Sequence, residues 1–159
     1  MPAMQVRDVM TATPMTIDPE APVETAVAVM RERGLRHLPV VNAEGRLIGI
    51  VTDRDLRSAM FGSALAEHLP PEQGGRLRAL TATLNDVRVS HVMTWQVVTV
   101  GPQAPVAQAA AIMANVRIGS LPVVEGTRLV GIVTEHDVLK ALAATLPCDK
   151  GADPDTYLW

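Results

Sequence analysis

Two short stretches hold the residues best suited to chemistry: Thr52-Asp53-Arg54-Asp55 and Thr134-Glu135-His136-Asp137. Each follows a Gly-Ile-Val triplet, Gly49-Ile50-Val51 in one case and Gly131-Ile132-Val133 in the other. The apolar, β-branched run reads as the end of a buried strand. A Thr with an acid three residues later reads as the start of a helix, because the two side chains can satisfy each other's backbone N–H groups. The free N–H groups and dipole of such a helix start favour hydroxyls and anions. Two readings stand at this point: a capping box that binds nothing, and a ligand site built twice. Recurrence inside a longer repeat favours the second.

Other chemistries find little support. No Cys/His pair, paired carboxylate site or Walker-type loop is readable, and His37, His68, His91 and His136 lack metal-ligand spacing. No catalytic residue, enzyme activity or metal is therefore expected. The formal net charge of −3 gives no global electrostatic case for nucleic acid or an anionic membrane. Cys148 is the sole cysteine, so no internal disulfide can form. The first residues lack the basic-then-apolar pattern of a signal peptide, and no apolar run approaches the ~20 residues of a membrane span. A cytoplasmic protein is expected. Aromatic residues are only 3% of the chain, so the core must be built from Val, Ala, Leu, Ile and Met.

The elements that position the two stretches are themselves repeated. Val9-Met10-Thr11 returns as Val92-Met93-Thr94, Thr16 as Thr99, Pro19 as Pro102, Pro22 as Pro105, and Leu38-Pro39-Val40-Val41 as Leu121-Pro122-Val123-Val124, all at an offset of 83. Gly49 returns as Gly131 at 82, so one residue is lost between Asn42-Ala43-Glu44-Gly45 and Glu125-Gly126-Thr127. A surface hairpin tolerates such a loss. Each copy reads β-α-β-β-α, an α+β fold. The first copy has a short strand at 15–18, a helix opened by Pro22 and closed by Gly34, a hairpin over 38–51 and a helix over 52–60. The second has a strand at 97–100, a helix over 105–115, a hairpin over 121–133 and a helix over 134–146. Neither copy is large enough to bury its sheet alone. Packing the two sheet to sheet about a pseudo-twofold axis would solve this and create two clefts walled by the Thr-x-x-Asp helix starts. The expected division is a first repeat over 1–60, a connector over 61–88, a second repeat over 89–146 and a tail over 147–159. Leu77, Leu80, Leu84 and Val87 could line a short connector helix.

The recurring order Val-Met-Thr, Pro-x-x-Pro, Leu-Pro-Val-Val and Gly-Ile-Val-Thr-x-x-Asp resembles a tandem pair of CBS domains, named after cystathionine β-synthase. The resemblance covers about residues 6–60 and 89–146. It implies a stand-alone regulatory or sensor pair that binds adenosine-containing ligands (AMP, ADP, ATP or S-adenosylmethionine) between the repeats, with a homodimer common. An effector protein in trans would be the regulated partner. The family's ribose-binding Asp matches Asp55 and Asp137, and the preceding Thr matches Thr52 and Thr134. A carboxylate suits a vicinal diol because its oxygens can accept two hydrogen bonds. Adenine-contacting positions match Thr16, Ile17, Thr99 and Val100, and the segments Arg36-His37 and Gly119-Ser120. Arg54 and His136 occupy equivalent first-turn positions beside the acids.

The resemblance also implies that the two clefts differ. One would join Asp55 to Arg36, His37 and His136, favouring a longer phosphate chain. The other would join Asp137 to Gly119, Ser120 and Arg54, tolerating a less charged adenosyl ligand. The competing function class is a ligand-free interaction or dimerisation module, in which the Thr/Asp pairs act only as caps.

Overall fold

The computed structural model describes residues 4–68 and 87–146. The connector helix over Leu77, Leu80 and Leu84 and the tail from Pro147 lie outside these. In chain order the elements are α1 (Val6–Val9), β1 (Thr11–Ala12), α2 (Val23–Arg33), β2 (His37–Val41), β3 (Leu47–Thr52), α3 (Asp53–His68), α4 (Val89–Val92), α5 (Val106–Val116), β4 (Ser120–Glu125), β5 (Arg128–Thr134) and α6 (Glu135–Thr145). The α+β alternation and the duplication follow the sequence repeat.

Each hairpin pairs antiparallel with a bulge at the same place, between Val40 and Val41 in one and between Val123 and Val124 in the other. Pro22 and Pro105 sit immediately before α2 and α5, where a missing N–H costs nothing. The strands expected at 15–18 and 97–100 shrink to single parallel bridges, Ile17 to Val40 and Val100 to Val123. Pro14 and Pro19 bracket the first, and Pro102 follows the second, so neither segment can extend a ladder. Conversely, α3 runs past residue 60 to His68. No proline interrupts it before Pro70, and Ala64-Leu65-Ala66-Glu67 are good helix formers.

The two copies exchange their leading segments. Val6 is fully buried with Val100, Ala109, Met113, Leu121, Val123 and Val133, in the core of the second copy. Val89 and Met93 join Ile17, Val23, Met30, Leu38, Val40 and Val51 in the core of the first. Backbone bonds fix the exchange: Val6 N–H donates to Ala104 O at 2.8 Å and Val89 N–H to Ala21 O at 2.9 Å. β1 pairs with β5 through Thr11 and Ile132, and Ile50 and Thr94 bond each other reciprocally. The repeated Met-Thr thus serves the opposite copy. The Met93 side chain packs on Gly49 and that of Met10 on Gly131, in each case where a β-carbon would otherwise stand. That close approach explains the glycine in Gly-Ile-Val. At their far ends the hairpins also touch, with Leu47 N–H donating to Thr127 O at 3.2 Å.

Candidate functional site

The two strand-to-helix junctions are built alike. Thr52 Oγ1 donates to Asp55 Oδ2 at 2.7 Å, Thr52 N–H donates to the same oxygen at 2.9 Å, and Asp55 N–H donates back to Thr52 Oγ1 at 3.3 Å. The Thr134–Asp137 box repeats this at 2.7, 2.8 and 3.3 Å. The capping reading is therefore correct for both. It uses one carboxylate oxygen of each acid. No described residue donates to the Oδ1 atoms, so each carboxylate keeps acceptor capacity. The junctions are also tied to the segments before the first hairpin strands. Asp53 N–H donates to Arg36 O and Glu135 N–H to Gly119 O, both at 3.0 Å.

These parts converge on a cleft of about 1090 Å³ between the copies. That volume is slightly above the usual range for small-molecule sites, roughly 300–1000 Å³. Of the residues singled out from sequence, Arg36, His37, Thr52, Arg54, Gly119, Ser120, Thr134, His136 and Asp137 line it. Asp55 does not, although its box matches that of Asp137. Thr16, Ile17, Thr99 and Val100 are also absent from the lining. Ile17 and Val100 are 7% and 5% exposed, inside the two cores. Their single bridges to Val40 and Val123 turn them inward, and Met15, Val97 and Val98 form the cleft wall in their stead. Exposed Met15 and Val98, with Val116, give the wall an apolar component suited to a ring face.

His37 and Gly119 meet across the boundary between copies. A β-carbon on Gly119 would stand 3.5 Å from His37 Nε2 and 3.6 Å from Glu135 Oε2. Burial pushes the His37 pKa below 6.5 and neighbouring Arg36 adds to this, while Asp53, Glu135 and Asp55 act against it. The neutral form is favoured near neutral pH.

Two of the cleft residues that were not read from the sequence stand out by their backbone. Thr13 and Arg117 have φ of 50° and 60°, the positive-φ non-glycine residues among those described, and both line the cleft. A β-branched residue at positive φ is a real outlier. Their signal is backbone conformation, which no spacing rule reveals. Among the described residues, no group of three or more His, Cys, Asp or Glu could hold a metal, and no helix is long and apolar enough to cross a membrane.

A family model described as CBS domain matches residues 6–62 and 89–144. The chain belongs to the CBS-domain family. A CBS domain-containing protein of Dictyostelium discoideum is 34% identical over 142 residues, covering 89% of this chain and 92% of the relative. A homoserine O-acetyltransferase of Methanococcoides burtonii is 37% identical over 134 residues, which are 84% of this chain and only 23% of the enzyme. There the CBS region is one part of a longer protein. The solved CBS domain pair of protein MJ0100, in complex with 5′-methylthioadenosine and S-adenosyl-L-methionine, superposes with a TM-score of 0.73 at 27% identity, covering 91% of this chain and all of that one. CBSX2 in complex with AMP superposes at 0.72 with 25% identity, covering 88% and 96%.

Proposed function

We propose that this CBS pair is a regulatory or sensor module that binds an adenosine-containing ligand in the cleft between its repeats, and that it has no catalytic activity of its own. The observation that carries this is the Thr134–Asp137 box on the cleft wall, with one carboxylate oxygen spent on the cap and the other available to a ribose diol. The complexes of the two structural relatives with adenosyl ligands support the reading. Met15, Val97 and Val98 would cover the base, Asp137 would accept from the ribose, and the arginines would meet a phosphate or other anionic group. AMP, ADP, ATP and S-adenosylmethionine are the candidate ligands. An effector protein in trans and a cytoplasmic setting belong to the same reading.

The protein is further proposed to be a homodimer. Leu139 and Leu142 on α6 are 62% and 51% exposed, and Leu146, just past its end, is 58% exposed. Closed twofold pairing is the commonest way to cover such residues.

Thermal melting against AMP, ADP, ATP and S-adenosylmethionine tests the reading. A ligand that binds only the folded state adds about 2.7 kcal/mol at a hundredfold excess over Kd. A raised midpoint with at least one of the four is expected. A flat response to all four at millimolar concentration would favour a ligand-free interaction module.

A further inference from the structure

Aligning the two copies along the cleft wall reveals an exchange of residues. The first copy has Gly34-Leu35-Arg36-His37 where the second has Arg117-Ile118-Gly119-Ser120. Glycine and arginine have traded places, and all eight residues line the cleft. Local backbone preference does not account for the trade. Positions 34 and 117 both cap their helices in the left-handed region, at φ 63° and 60°. Glycine adopts that conformation freely, whereas arginine is strained there. Gly119, by contrast, is not at positive φ, so its backbone does not demand glycine. The constraint at 119 is spatial. A β-carbon there would sit in ordinary contact with His37 Nε2 and Glu135 Oε2, so a longer side chain would share its space with those groups. The second copy carries its arginine two residues earlier, in the left-handed region.

We infer that Arg117 is the anion-reading residue of the second half of the cleft, standing in for the arginine that Gly119 displaces. This rests on the adenosine-ligand reading above and assigns part of its specificity: the second half favours ligands with a phosphate over uncharged adenosyl ligands. This runs against the sequence expectation that the cleft of Asp137, Gly119, Ser120 and Arg54 tolerates a less charged adenosyl ligand. Among the described residues no carboxylate lies within ion-pair distance of Arg117, so its guanidinium is available to a ligand. A guanidinium can meet two phosphate oxygens at once. Backbone strain in a non-glycine residue is commonly found at functional positions, and Thr13 is the other such residue on the same cleft.

A purely structural role makes an opposite prediction. α5 has no basic residue in its last turn, unlike α2 with Arg31 and Arg33, so Arg117 could serve only the helix dipole. Calorimetric titration of AMP and adenosine into the full chain and into Arg117→Gly and Arg117→Lys separates the two. For an anion reader, Arg117→Gly lowers AMP affinity on the order of tenfold, leaves adenosine affinity unchanged, and keeps or raises the melting midpoint. Arg117→Lys restores part of the AMP preference, and that preference weakens at high salt. An AMP-to-adenosine ratio unaltered by Arg117→Gly overturns the inference, whatever happens to the midpoint. If the unmodified protein binds neither compound, the adenosine reading has failed, and inorganic pyrophosphate becomes the probe. Pyrophosphate bound by the unmodified protein but more weakly by Arg117→Gly upholds the anion role alone. Pyrophosphate bound equally by both, or by neither, overturns it as well.

Discussion

The thioether sulfur of Met93 lies 2.5 Å from the point where a β-carbon on Gly49 would stand. The two residues come from different copies, so this contact joins the halves that form the cleft. Met93 Cγ and Cε are each 3.1 Å from the same point, so the whole end of the side chain would have to move. Gly49→Ala is expected to destabilise the fold by about 1–3 kcal/mol through overpacking. Shortening the methionine should relieve much of this. A double-mutant cycle with Met93→Ala, followed by urea unfolding, checks it. Additive losses would show that the two residues do not press on each other.

Asp55 and Asp137 make the same cap bonds, but only Asp137 lines the cleft. Asp55→Ala and Asp137→Ala should therefore cost similar stability, about 1 kcal/mol each. Their effects on ligand binding should differ. Asp137→Ala is expected to weaken AMP by about 1.5–3 kcal/mol, the usual worth of a hydrogen bond to a charged group. Asp55→Ala should weaken it much less. Calorimetry on the folded single variants measures both. Equal affinity losses would show that the carboxylates play equivalent roles.

Much of this was legible in the sequence, and what was not has physical reasons. The Leu-Pro-Val-Val and Gly-Ile-Val runs, the opening prolines and Gly34 locate the hairpins and helices, because period and punctuation are local properties. The exchange of Val6 and Val89 between cores was not legible. A four-residue helix with one buried valine does not say which core receives it. Ile17 and Val100 read as ligand contacts by resemblance, but each makes a single parallel bridge and turns into a core. The placing of Arg117 on the cleft wall goes with its left-handed backbone at the end of α5, which spacing does not reveal.

His37 gives a pH signature. Its pKa is lowered in the folded protein by burial and by Arg36, with Asp53, Glu135 and Asp55 opposing. The unfolded chain then binds more protons than the folded one between the folded pKa and 6.5. Its contribution to stability is complete above 6.5 and is lost as pH falls from there through the folded value. The melting midpoint should drop on acidification across this window, and His37→Gln should lose that part of the drop. Identical profiles for the two proteins would contradict the assignment.

The exposed leucines on α6 predict a homodimer. Light scattering at micromolar concentration should give twice the 17.0 kDa chain mass. Leu142→Glu should shift the protein to monomer by placing a charge among them. A monomeric mass for the unmodified protein would count against the pairing.

The most direct test of the central reading is a crystal structure of the protein grown with saturating AMP. The adenosine should lie in the cleft between the copies, with a ribose hydroxyl on the carboxylate of Asp137 and the base against Met15 and Val98. An empty cleft under those conditions, or AMP held elsewhere on the surface, would contradict it.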